Sequence, residues 1–257
     1  MTRHEAMATD LFDDDRRDLV LAPGAMVLGG FAADKAGALL DAVARIVAQA
    51  PLRHLVTPGG WRMSVAMTNC GRVGWVSDRR GYRYDAIDPE SGQPWPAMPP
   101  VFAELAGAAA DAAGFAGFAP DCCLINHYAP GARLSLHQDR DEQDRTAPIV
   151  SISLGLPATF LWGGARRGDR PRRLRLAHGD AVVWGGPARF AFHGVDPIPD
   201  GTHPLTGRAR INLTFRKVFR PAAYASRTAS NRGRRRWFPP ETCLSGHADI
   251  ADARGAA

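Results

Sequence analysis

The tripeptide His137-Gln138-Asp139 carries an imidazole and a carboxylate two residues apart. On an extended segment, residues two apart point to the same side, so both groups can converge on one metal ion. A second imidazole must come from elsewhere in the chain, and His193, beyond the apolar run at 181–184, is the candidate. Two histidines and a carboxylate form the facial triad of non-haem iron(II) oxygenases and leave three cis positions open. Those positions suit a bidentate 2-oxo acid and dioxygen. Two other histidines compete for the role. His178 precedes Gly179-Asp180, a turn pair, and His203 precedes a proline, so each reads as structural or solvated. An H-x-D triplet arises readily by chance at a protein surface, so the metal reading needs a second observation.

That observation is the segment Arg210-Ile-Asn-Leu-Thr-Phe-Arg216. As a strand it places Ile211, Leu213 and Phe215 on one face and Arg210, Asn212, Thr214 and Arg216 on the other. In an average protein such a polar row faces water. Following the distal histidine in a jelly roll, it can instead face the cavity that holds the metal. Arginine is the side chain suited to bidentate carboxylate binding, and a 2-oxo diacid that chelates iron through one carboxylate needs such a partner for the other. Asn126 and Tyr128, also two apart, can add donors on the same side.

The elements that must hold these groups divide the chain. Residues 19–31 read as a short strand or two with turns. Residues 33–50 read as an amphipathic helix, with Leu39, Leu40, Val43, Ile46 and Val47 on one face. An Ala-rich second helix is expected at 101–114. Between the helices, 57–100 is full of Gly, Pro, Trp and Tyr and reads as a loop-and-hairpin region. From about residue 122 the pattern becomes short apolar or alternating runs, at 124–128, 150–154, 159–162, 173–176, 181–184 and 209–218. Strands at this spacing predict an antiparallel sandwich or jelly roll.

Bulk properties narrow the class. The 257 residues are 45% hydrophobic and 23% charged, as in a soluble protein with one sizeable core. Residues 1–17 lack a basic stretch followed by an apolar one, and no run approaches the length of a membrane span. The expectation is a cytoplasmic protein with no membrane association. Cys70, Cys122, Cys123 and Cys243 form no C-x-x-C and read as free thiols. The net charge of +6 sits largely in 220–257, where seven arginines face three acids. That tail, with Arg232, Arg234, Arg235 and Arg236, could meet phosphates or simply be solvated and disordered. The charge by itself does not decide for nucleic acid.

Five segments in order resemble the AlkB family of iron(II)- and 2-oxoglutarate-dependent dioxygenases, a likeness spanning about residues 19–217. They are Met63-Ser-Val-Ala-Met-Thr-Asn-Cys-Gly71, Leu124-Ile-Asn-His-Tyr-Ala-Pro-Gly131, Leu136-His-Gln-Asp-Arg-Asp-Glu142, His178-Gly-Asp-Ala-Val-Val-Trp-Gly-Gly186 and the 210–216 strand. The resemblance implies an α+β protein: a double-stranded β-helix, or jelly roll, with supporting N-terminal helices and a nucleotide-recognition lid. The organisation would be a flexible segment at 1–18, one dioxygenase domain at 19–219, and the basic tail at 220–257. Within the domain the lid would lie at about 57–100 and the jelly-roll core at about 121–218.

By the same resemblance, His137, Asp139 and His193 bind iron(II). Arg210 and Arg216 hold 2-oxoglutarate with help from Asn126, Tyr128 and Asn212. Trp75 and Tyr82 contact a flipped base and its backbone, Asp141 lies near the alkylated base, and Met67 and Arg167 complete the substrate-binding set. The implied reaction is oxidative dealkylation of N-alkylated bases, of the 1-methyladenine and 3-methylcytosine type. It consumes dioxygen and 2-oxoglutarate and releases formaldehyde. The implied partner of a monomeric DNA-repair enzyme is alkylated DNA, single- or double-stranded, with RNA left open. An aromatic such as Trp75 can stack on an extruded base and favour its positive charge. Two alternatives are the same oxidation aimed at a protein side chain or metabolite, and a non-enzymatic nucleic-acid-binding module.

Overall fold

Ala36, Leu39, Ala42, Val43 and Ile46 fall at three- and four-residue steps, and helix α1 (Ala36–Gln49) buries that stripe. Helix α2 (Pro100–Ala112) opens on a proline, where the missing N–H is no loss, and buries Phe102, Leu105, Ala106, Ala109 and Ala110. Both stripes pack on one face of a large sheet, in a core shared with Ile125, Val150, Ile152, Leu213 and Phe215. Phe102 meets Phe215 edge to face at 5.7 Å. The computed structural model of the protein describes residues 17–220.

The large sheet has eight antiparallel strands in the order β1 (Leu19–Ala22), β2 (Ala25–Leu28), β12 (Ala181–Trp184), β9 (Ile149–Gly155), β14 (Arg210–Arg216), β7 (Cys122–Tyr128), β4 (Arg62–Gly71) and β3 (Arg53–Val56). A four-stranded sheet runs β11 (Arg172–Leu176), β10 (Ala158–Trp162), β13 (His193–Val195) and β8 (Leu134–His137). The sheets face each other through a second core. Leu124, Tyr128, Ile149, Val182 and Trp184 come from the large sheet, and Phe160, Trp162 and Val195 from the small one. This is the expected jelly roll, with helices outside the large sheet. A separate hairpin of β5 (Gly74–Asp78) and β6 (Gly81–Asp85) completes the described residues' strands.

Two departures from the sequence reading have physical causes. Residues 57–100 are not only loop and hairpin, since they contribute β4, a ten-residue strand of the large sheet. Val65 and Met67 of β4 enter the inter-sheet core while Cys70 enters the helix-side core, so the strand is apolar on both faces and shows no clean alternation. The short strands β3, β8 and β13 carry too few residues for a period to appear. β13 depends on Gly194, where an added Cβ would meet the Leu134 carbonyl oxygen at 2.8 Å. The missing side chain lets β13 lie close against β8.

Cys70, Cys122 and Cys123 are buried free thiols, with Cys122 and Cys123 pushed well up by burial. The expectations for residues 1–16, the basic tail beyond residue 220 and Cys243 lie outside the described residues. Among the described residues no helix is long and apolar enough to cross a membrane.

Candidate active site

The pairing of β8 with β13 sets His137 directly opposite His193. Their rings lie 4.4 Å apart between centroids. Each Nδ1 faces a backbone carbonyl two residues back, His137 that of Ser135 at 2.8 Å and His193 that of Ala191 at 3.0 Å. Donating from Nδ1 leaves Nε2 as the lone-pair nitrogen, the arrangement a metal-binding histidine uses. Asp139 lies just past the end of β8, its Oδ1 3.8 Å from His137 Nε2 and its Oδ2 3.9 Å from His193 Nε2. The three ligand atoms fall within 4.8 Å of one another. Burial, with His137 alongside, pulls His193 down to about 4, which keeps the imidazole neutral at pH 7. Burial alone would raise Asp139, but the Arg216 guanidinium and the two histidines outweigh it and hold the carboxyl well below its usual range.

The polar row of β14 faces this triad. Leu213 and Phe215 enter the helix-side core, with Ile211 packed against it, while Arg210, Asn212, Thr214 and Arg216 line a cavity of about 970 Å³ between the sheets. The two arginines are differently engaged. Arg216 donates from Nε and Nη2 to Asp139 Oδ2 at 3.0 and 2.8 Å, leaving its Nη1 without a hydrogen-bond partner among the described residues. Arg210 is 1% exposed and stacks over the Tyr128 ring at 5.7 Å, while its Nε and Nη1 find no hydrogen-bond acceptor among the described residues. Burial pulls the guanidinium of Arg210 below its usual value, and pushes the Tyr128 phenol up to about 12. Asn212 spends its amide within the protein. Its nitrogen donates to Ser151 Oγ and the Ile152 carbonyl, and its oxygen accepts from Asn126 and Thr214. Asn126, which lines the same cavity, keeps a buried oxygen without a partner among the described residues.

The β5–β6 hairpin supplies the outer wall. Trp75 and Tyr82 stack at 5.5 Å with 13° between planes, and Trp75 Nε1 donates to Asp141 Oδ2 at 2.8 Å. Arg167, exposed, lies 6.0 Å over Phe192, and Met67 is buried at the cavity wall. The structure thus brings all thirteen residues singled out in the sequence onto one cavity. It leaves His178 and His203 elsewhere, stacked on each other at 4.5 Å.

Residues 24–216 match the 2OG-Fe(II) oxygenase superfamily. The alpha-ketoglutarate-dependent dioxygenase AlkB of Salmonella typhimurium is 56% identical over 210 residues, 81% of this chain and 97% of that protein. The chain belongs to the AlkB family of 2OG-Fe(II) oxygenases. The Escherichia coli protein of the same name is 56% identical over 198 residues, 77% of this chain and 92% of its own length. The solved structure of OsALKBH1 superposes with a TM-score of 0.70 at 29% identity, covering 78% of this chain and all of that one.

For an AlkB-family oxygenase the donor sets fit the expected groups. Two neutral imidazoles and a carboxylate suit iron(II), and a buried guanidinium with unused N–H groups suits the distal carboxylate of 2-oxoglutarate. Behind Asp139 this AlkB-family chain carries a network that the sequence reading missed. Glu142, 1% exposed, accepts from Tyr84 Oη at 2.6 Å and Arg189 Nη2 at 2.9 Å, and lies 3.3 Å from Arg216 Nε. Arg189 also donates to the backbone carbonyls of Asp139 at 2.9 Å and Ala147 at 3.1 Å. Glu142 and Arg189 are separated by 47 positions, and nothing local in either segment signals the pair.

Proposed function

We propose that this AlkB-family enzyme removes alkyl groups from N-alkylated nucleic-acid bases by oxidation. The observation that carries the reading is the stacked Trp75–Tyr82 pair, tied to Asp141, on the wall of the cavity that holds the His-Asp-His triad. A flat, electron-rich indole beside a carboxylate is complementary to a flat, positively charged ring, which is what N1-methylation of adenine or N3-methylation of cytosine makes of a base. Apart from Asp139 and the buried Arg210 and Arg216, the cavity wall carries four exposed arginines, Arg62, Arg133, Arg140 and Arg167, against Asp141, a balance that favours a polyanionic chain. A base inside a duplex must be extruded to enter, and damage that blocks pairing lowers that cost.

In this reading His137, Asp139 and His193 hold iron(II). Arg210 takes the distal carboxylate of 2-oxoglutarate, with Tyr128 beneath the guanidinium. Asn126 and the free Nη1 of Arg216 face the near end, and Asn212 fixes Asn126 in place. Iron(II), 2-oxoglutarate and dioxygen together supply hydroxylation of the N-alkyl carbon, with succinate and carbon dioxide as co-products and formaldehyde released from a methyl group. Trp75, Tyr82 and Met67 orient the base, Asp141 favours its cationic form, and Arg167 meets its backbone. Residues 19–219 act as one domain, in a cytoplasmic, monomeric enzyme.

Incubation of the iron-loaded protein with 2-oxoglutarate and a 1-methyladenine or 3-methylcytosine oligonucleotide tests the reading. Formaldehyde and the unmodified base should appear together in equal amounts. Succinate without either product would move the reading to another substrate.

A further inference from the structure

Trp61 is the most exposed large hydrophobic side chain among the described residues, at 78%. It ends the 57–61 turn between β3 and β4, and that turn is closed by three hydrogen bonds. Thr57 N donates to the Trp61 carbonyl at 2.8 Å, Gly60 N to the Thr57 carbonyl at 2.8 Å, and Trp61 N to Thr57 Oγ1 at 3.1 Å. Gly60 takes a φ of +86°, which a side chain would resist. A Cβ on Gly59 would touch the indole Cδ1 at 3.5 Å, so the ring lies alongside the bare backbone of that glycine. The indole is therefore held outward on an ordered turn, and the site described above makes no use of it.

Its surroundings indicate what it meets. Trp61 lines the same cavity as Trp75 and Tyr82, with Arg62 and Arg133, both exposed, on the same rim. The Arg133 backbone is anchored there, since its N–H donates to Ser64 Oγ, which in turn donates to the Arg133 carbonyl, both at 3.0 Å. An exposed indole beside exposed cations on the lining of this cavity matches the way proteins hold unpaired nucleic acid, by stacking bases while arginines meet the phosphates.

We propose that Trp61 is a stacking platform for the nucleobase adjacent to the alkylated one, which it takes in an unpaired state. This subsite rests on the nucleic-acid reading given above. Trp75 and Tyr82 serve the target base, Trp61 its neighbour, and Arg62 and Arg133 the phosphates between. One platform per base makes the subsite tolerant of sequence, because every base has a face to stack.

The test compares short single-stranded oligonucleotides carrying one 1-methyladenine, with either normal bases or abasic sites on both flanks. They are bound to the protein loaded with Mn(II) and 2-oxoglutarate and followed by fluorescence anisotropy, with turnover measured in parallel on the iron enzyme. In the wild type, abasic flanks should weaken binding on the order of tenfold. In Trp61→Ala that penalty should disappear, with the melting temperature unchanged because the side chain is exposed. Trp61→Phe should keep part of it. A wild type that demethylates both oligonucleotides but is indifferent to the flanks overturns this inference alone, as does a Trp61→Ala variant with the full penalty. A wild type that demethylates neither oligonucleotide overturns both this inference and the reading on which it rests.

Discussion

Arg210 and Arg216 occupy alternate positions of one strand face, yet the structure gives them different partners. Arg216 donates to Asp139 and lies beside Glu142, so two carboxylates compensate its charge. Arg210 lies on Tyr128 with two N–H-bearing nitrogens unused among the described residues. A buried guanidinium without a hydrogen-bonded carboxylate is unfavourable by several kcal/mol, and a carboxylate ligand removes that penalty. Replacing the two residues should therefore give separable defects. Arg210→Ala should weaken 2-oxoglutarate binding about 10- to 100-fold, the value of charge-assisted hydrogen bonds, while metal affinity holds. Arg216→Ala should lower metal affinity by a similar factor, because it removes the group that orients a ligand. Cobalt(II) absorbance reads the metal site, and the 2-oxoglutarate concentration dependence of turnover reads the other. Equal effects of both variants on both quantities would contradict this division.

Elements decide whether such residues can meet. The alternation of 210–216 was readable because one face is apolar and the other polar, and the same logic located both helices. The H-x-D pair was readable as a candidate, but its partner strand was not, since β13 is three residues long and owes its position to Gly194. β4 escaped because a strand buried on both faces has no contrast between odd and even positions. The Tyr84–Glu142–Arg189 contacts escaped for another reason. They join the β5–β6 hairpin, the segment after β8 and the segment before β13, and no local pattern records a pairing across 58 or 47 residues. These contacts also tie the hairpin to the segment that carries Asp139. Glu142→Gln keeps the shape but removes the charge that two arginines face, which should destabilise the fold by about 3–5 kcal/mol. Tyr84→Phe removes only the tie to the hairpin. Hydrogen exchange at β5–β6 should then rise while exchange in β9 and β14 stays as in the wild type. Unchanged exchange in the hairpin would show that Tyr84 does not hold it.

At the scale of the whole molecule, the burial that shapes the cavity also sets how the metal-free protein responds to acid. His193 is pulled down to about 4, first by burial and then by His137. His127 and His203 are lowered as well, in each case with burial as the leading cause. A histidine unfolds to a side chain with a value of about 6.5. Between pH 6.5 and 4 the unfolded chain therefore binds a proton at His193 that the folded chain refuses, so stability must fall as pH falls through that window. For His193 alone the loss between pH 7 and 5 is about 2 kcal/mol, and the other two histidines act in the same direction. If these imidazoles hold iron(II) as proposed, bound metal should stabilise the folded state by mass action. Because folded His193 stays neutral until pH nears 4, proton competition at His193 should weaken the affinity only there. Urea denaturation of the metal-free protein at pH 7 and pH 5 measures the first effect. His193→Asn should flatten the dependence by removing its largest contributor. A metal-free wild type equally stable at both pH values would mean that His193 accepts its proton as readily folded as unfolded, and the neutral-ligand geometry argued for this site would fall with it.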